Sequence, residues 1–211
     1  AFGTGDSIAK GGVIAANASQ SGADASIGNS SITTNTTGSN TGHINVHADN
    51  TSSIEALNKS MVQSGDEAVG AIIAFNTIGY PQSNILSQTL ETLIATNIGT
   101  ANPAKTSANI TDTAVNAAGD VTVSADSTAA NKATVTNETT SAASALIDAS
   151  GSSMGGILAS NMVNTDVDAF IKHTTVPAGT LSAAGDVEVS ATDDTSIAAD
   201  TVLKSISSTS N

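Results

Sequence analysis

Two short patterns recur three times along this chain, always in the same order. Gly11-Gly12-Val13-Ile14-Ala15-Ala16-Asn17 returns as Gly70-Ala71-Ile72-Ile73-Ala74-Phe75-Asn76, and again as Gly155-Gly156-Ile157-Leu158-Ala159-Ser160-Asn161. Each copy is followed by a second pattern: Gly42-His43-Ile44-Asn45-Val46-His47-Ala48, then Gly119-Asp120-Val121-Thr122-Val123-Ser124-Ala125, then Gly185-Asp186-Val187-Glu188-Val189-Ser190-Ala191. Self-similarity on this scale marks units that bury their apolar faces against neighbouring copies, in a stacked array.

The second pattern alternates with period two. Ile44, Val46 and Ala48 are separated by Asn45 and His47, and the other copies do the same. That is a strand with one wet face, and the glycine before it marks a turn. The first pattern is a more continuous apolar run, expected where both faces of a strand are covered. No helical spacing is sustained along the chain. Asn84–Ala95 and Ser141–Ala149 could each make about two helical turns, but fit better as strand-and-turn insertions.

Composition limits the core. Aromatic residues are 2% of the chain (Phe2, Phe75, Phe170 and Tyr80), and Trp is absent. The interior must be thin and built from Val, Ile, Leu and Ala, which suits two layers about 10 Å apart. A disordered chain is the competing expectation from the polar content and charge, and the regular β-branched alternation argues against it.

The first and third copies align at a constant offset of 144 residues through Gly11/Gly155, Asp24/Asp168, Ile27/Ile171 and Ile32/Val176, and of 143 from Gly42/Gly185 to Ile54/Ile197. The middle copy lies 59 residues after the first and 85 before the third. Its extra length is assigned to Thr77–Leu90 and Ala130–Ser153, with Glu91-Thr92-Leu93-Ile94 resuming the register of Asp24-Ala25-Ser26-Ile27. The expected architecture is an all-β parallel β-helix (β-solenoid) of tandem repeats. Residues 1–211 form a single array, with repeats at approximately 11–69, 70–154 with insertions, and 155–211, and residues 1–10 the tail of a preceding repeat. Coils of roughly 20–25 residues would give about nine coils and a rod about 45 Å long.

The stretch from Ile197 to Asn211, continued by Ala1 up to Gly11, matches the length of the internal stretch from Asn131 to Gly155 to within one residue. The expected partner is therefore another copy, by end-to-end self-association or by covalent continuation in a longer chain. The start at Ala1, without Met or the basic and apolar regions of a signal peptide, suggests a processed product or a piece of something longer.

Charge excludes several classes. There are 19 acidic residues against six basic ones, all lysine (Lys10, Lys59, Lys105, Lys132, Lys172 and Lys204), for a net charge of −13. Nucleic acid and anionic membrane surfaces are not expected partners. No apolar run is long enough to cross a membrane as a helix. Cys is absent, so no disulfide holds the fold.

The strings AAGDVTVSADSTA (117–129) and AAGDVEVSATDDTSI (183–197), each downstream of a G-[GA]-x-[IL]-A-x-N block, resemble repeats of giant bacterial extracellular proteins, among them leukotoxin-like and filamentous-haemagglutinin-like adhesins. The resemblance covers nearly the whole chain apart from the middle insertion. It implies a secreted, right-handed parallel β-helix on a bacterial cell surface, serving adhesion or forming a fibrous layer. It brings no catalytic residues.

No catalytic, cofactor-binding or metal-binding residue is assigned, and the chain is not expected to be an enzyme. Two alternatives define what a site would use. A carbohydrate-active β-helix enzyme would need a carboxylate pair, for which Asp166 and Asp168, on one face of a strand, are the candidates. A calcium-stabilised binding module would draw Ca2+, the one cofactor admitted, to Asp120, Asp126, Asp186, Asp193 and Asp194 near turns; hydrogen bonding to turn backbone is the plainer role for those residues. His43 and His47 would stand about 13 Å apart along a strand, too far for one metal, and His173 is remote. Asn17, Asn76 and Asn161 suggest turn asparagines stacked as a ladder. The sequons at Asn35 and Asn109 carry little weight, and Ser30-Ser31-Ile32-Thr33-Thr34 lacks the repeated Thr-x-Thr rows of an ice-binding face.

Overall fold

A computed structural model describes residues 7–35, 41–80, 102–144, 150–173 and 180–210. Phe2, Asn84–Ala95, Ala145–Ala149 and Val176 lie outside them. The described residues form twelve strands and no helix: β1 (Ile8–Ser19), β2 (Ala23–Gly28), β3 (Ser31–Thr33), β4 (Ile44–Ser64), β5 (Glu67–Ile78), β6 (Ala104–Thr111), β7 (Ala114–Ala117), β8 (Val121–Ser144), β9 (Ser152–Val163), β10 (Thr165–Lys172), β11 (Leu181–Ala183) and β12 (Val187–Ser210). They pair into four three-stranded sheets, β1-β5-β9, β2-β6-β10, β3-β7-β11 and β4-β8-β12. Every pairing is parallel. The chain thus passes three times through the same four strand positions, with the middle pass central in every sheet. This all-β arrangement of stacked parallel sheets is compatible with a β-helix.

The repeats and the ladder register coincide. Gly11 pairs with Gly70 and Gly70 with Gly155. Asp24 and Asp168 both pair with Ser107, and Ile44 and Val187 both pair with Val121. Three expectations need correction. Ile32 shares its row with Val115 and Leu181, not Val176. Ile27 pairs with Ile110, not Ile94. The insertions also fall elsewhere. Residues 79–103 stand where the third pass has Asn164 alone. Residues 142–151 stand where the first connection has only Gly65 and Asp66, whereas 130–141 run in register with β4.

The coil arithmetic is also overturned. One circuit takes 59 residues at Gly11–Gly70 and 85 at Gly70–Gly155, so the chain makes three large passes rather than nine small coils. The stack is about 10 Å deep rather than 45 Å. The physical reason is strand length. β4 runs 21 residues, and β8 and β12 run 24 each, about 80 Å when extended and well beyond the usual 3–10 residues. After the opening Ile/Val-x-Val-x-Ala, many of their inward positions are Ser, Asn, Thr or Ala, which extends the strand with only scattered apolar residues.

The long sheet covers the others. β8 runs back across β5, since Asn137 donates to the Gly70 carbonyl and Asn131, earlier in β8, to that of Asn76, later in β5. Val121, Val123 and Ala125 close the layer over Ala108 and Ile110 of β6. Farther along, Val135 meets Ile72 and Ala74 of β5. Inward residues of β8 are buried throughout, from Val121 to Ala143. The outer face of the first pattern is covered only at its end in the middle pass: Phe75, outward beside inward Ala74, is buried, but Ala71 on the same face and Ile14 in the first pass are exposed.

The β2–β3 and β6–β7 corners share one turn. Asn29 and Asp112, each directly after its strand, have φ of 50° and 48°, a left-handed conformation that Asn and Asp tolerate best among non-glycine residues. The next residue bonds back in both cases: Ser30 Oγ to the Gly28 carbonyl and Thr113 Oγ1 to that of Thr111, at 2.8 Å each. Ladder bonding continues through the corner, from Asn29 N to Thr111 O and from Asp112 N to Lys172 O.

Candidate functional site

The side chains that distinguish this chain lie in columns running from pass to pass. The first is an asparagine ladder. Asn17 Nδ2 donates to Asn76 Oδ1 at 2.9 Å, Asn76 Nδ2 to Asn161 Oδ1 at 3.0 Å, and Asn161 Nδ2 to the Ala198 carbonyl at 3.0 Å. The expected ladder is present, but within β1, β5 and β9 rather than in turns. Two more interior asparagines fasten the layers across the core. Asn131 donates to the carbonyls of Asn76 and Met162, and Asn137 to those of Gly70 and Gly156. Sequence reading singled out neither. Asn131 breaks the isoleucine row of Ile54 and Ile197, and that break was the available signal, whereas Asn137 shares its row with Ser60 and Leu203, which set no pattern.

The second set is ionic. Lys105 Nζ lies 3.1 Å from Asp168 Oδ2 and 3.8 Å from Asp166 Oδ2. The two carboxylates do share one strand face, but a lysine of the adjacent pass stands between them. Its hydrogen bond to Asp168, then the charges of Asp168 and Asp166, hold the ammonium above its ordinary pKa, with Asp24 adding to this. Lys105 is therefore a fixed positive charge and not a proton acceptor. It went unrecognised because the insertion hides its row: only with residues 79–103 placed before β6 does Lys105 fall opposite Asp166. Lys132 pairs with Glu55 and Lys204 with Glu138, whose carboxyl is held below its ordinary pKa first by the hydrogen bond from Lys204.

The remaining candidates are dispersed. His43 Nδ1 accepts the Asp120 main-chain N–H at 3.1 Å, with Asp120 Oδ2 also at 3.1 Å, and Asp120 Oδ1 accepts the N–H of Asp186. His47 Nδ1 bonds Ser124 Oγ at 2.8 Å, with Asp126 Oδ2 at 3.6 Å. Asp126, Asp193 and Asp194 lie inside strands β8 and β12, not near turns. Asp193 accepts from the hydroxyls of Thr165 and Thr195, one on each carboxylate oxygen. Among the described residues no three acidic or histidine side chains converge as a metal site would require. A cleft of about 370 Å³ beside the start of β5 is lined by Ile8, Asp66, Glu67 and Ser150–Ser152; its Asp66 carboxylate already accepts the N–H of Ser7.

The third feature is an asymmetry between the outer passes. Inward Ile44, Val46 and Ile54 of the first pass are buried at 7%, 5% and 9% exposure, while their row partners Val187, Val189 and Ile197 in the third are 47%, 46% and 55% exposed. Among the described residues no helix is long and apolar enough to cross a membrane. No protein-family model, curated protein or solved structure matches the chain.

Proposed function

We propose that the chain is a right-handed parallel β-solenoid acting as a structural module of an extracellular fibre or adhesin on a bacterial cell surface. The observation that carries this reading is that both repeated patterns stand in register from pass to pass. Each pass offers the next the same edges and the same asparagine column, so the fold is extensible in one direction. The acidic surface keeps such a stack soluble, and Lys105, Lys132 and Lys204 each pair with a carboxylate of a neighbouring pass. The test is antibody labelling and protease shaving of intact producing cells. Label and cleavage before lysis are expected; a chain reached only after lysis overturns the surface assignment.

A further inference from the structure

We infer that the third pass of one molecule docks on the first pass of a second copy, head to tail, continuing the register that joins the passes within a molecule. The inference deepens the solenoid reading and rests on it. Among the described residues, strands β9–β12 each have a neighbour on one side only, as do β1–β4, and an unpaired strand edge is a template for another strand. A row offset of 143 residues, the one linking β4 to β12 through β8, sets the exposed Val187, Val189 and Ile197 against the rows of Ile44, Val46 and Ile54 of the second copy, which are already buried in their own molecule, so the apolar surface covered on docking belongs to the third pass.

Polarity comes from the asparagine ladder, in which each amide donates towards the third pass. At the first-pass end, Asn17 presents its Oδ1. At the other end, Asn161 gives one amide hydrogen to Ala198 and retains a second, since a carboxamide nitrogen carries two. Head-to-tail stacking sets donor on acceptor; the other two arrangements set acceptor on acceptor or donor on donor. One further column agrees. Asp193 comes over the amide of Asn50 of the second copy, a donor for its carboxylate. One contact opposes: Asp168 faces Asp24 of the second copy. Being exposed, that repulsion is screened by salt, so association strengthens with ionic strength.

The absence of cysteine permits a direct test. Ser190 and His47 share a row through Ser124, so in the docked pair their Cα atoms stand one strand spacing apart, about 4.8 Å, within disulfide reach. S190C and H47C chains are mixed and oxidised, alone and together, in about 0.5 M NaCl. The mixture is expected to give disulfide dimers at least tenfold above either variant alone. Dimers of S190C with itself, or none in the mixture, overturn the inference. I197K, at an exposed position, should keep the native circular dichroism and lower the weight-average mass by sedimentation at least twofold; an unchanged mass also overturns it. A chain that stays monomeric but labels on intact cells removes the docking and leaves the surface reading standing, whereas docking without surface label does the reverse.

Discussion

Asn76 donates its amide to Asn161 across 3.0 Å while fully buried between the outer passes. Its Oδ1 meanwhile accepts from Asn17, so both ends of one side chain are used in the stacking direction. N76A leaves Asn161 and Asn17 each short of a partner and should cost about 1–3 kcal/mol in urea unfolding. N76D separates hydrogen bonding from shape. An ionised Asp accepts from Asn17 but cannot donate to Asn161, and burial raises its folded pKa above the unfolded value of about 3.9. The protonated form is favoured in the fold, so N76D stability is fully present below about pH 4 and is lost as pH rises through the folded pKa. The gap to wild type should widen from acid to neutral pH; a constant gap would mean the ladder amide does not matter.

Glycine roles divide by what a methyl group would meet. At Gly70 an added Cβ would lie 2.8 Å from Thr139 Cγ2 and 2.9 Å from Asn137 Oδ1, whereas at Gly156 nothing lies within 4 Å. G70A should cost about 1–3 kcal/mol, as overpacking does. G156A should be neutral or stabilising by up to about 1 kcal/mol through the unfolded chain. Equal melting temperatures for the two variants would contradict the packing of β8 on β5.

Which parts were legible follows from what each row repeats. Gly11/Gly70/Gly155 and Ile44/Val121/Val187 kept both residue type and alternation, so their ladders could be read from the sequence and stand in register. The pass length could not. Beyond Ala48, β4 continues inward with Asn50 and Ser52, and β8 with Ser127 and Asn131, all buried; polar residues inside a strand look like turns when read by hydropathy. The Lys105 cluster was invisible because its row depends on where the insertion ends, and Asp24 was matched to Glu91 in place of Ser107.

Lys105 neutralises carboxylates contributed by its neighbours. K105M removes the charge beside Asp166 and Asp168, with Asp24 in the same field. The site is exposed, so the loss is electrostatic and salt-dependent. The melting temperature should fall at low salt and return to within about 1 °C of wild type in 1 M NaCl. Because the Lys105 pKa is raised in the fold, its contribution is complete below the unfolded value of about 10.4 and fades only as pH rises through the higher folded value. Wild type should therefore show no loss from this group between neutral pH and pH 10. A K105M deficit that persists in high salt would assign Lys105 a packing role instead.

Calcium should leave the melting temperature unchanged. Asp193 has both carboxylate oxygens engaged by Thr165 and Thr195, and Asp120 lies against His43 and the Asp186 N–H. A calcium ion needs six to eight oxygen ligands, and among the described residues these carboxylates stand in separate columns. Thermal melts with 5 mM CaCl2 and with EDTA should agree to within about 1 °C, since a ligand at a hundredfold its dissociation constant stabilises by about 2.7 kcal/mol, which melting would register as several degrees. A calcium-dependent rise that T165V and T195V abolish would convert the Asp193 column from a hydroxyl-satisfied strand position into a cation site.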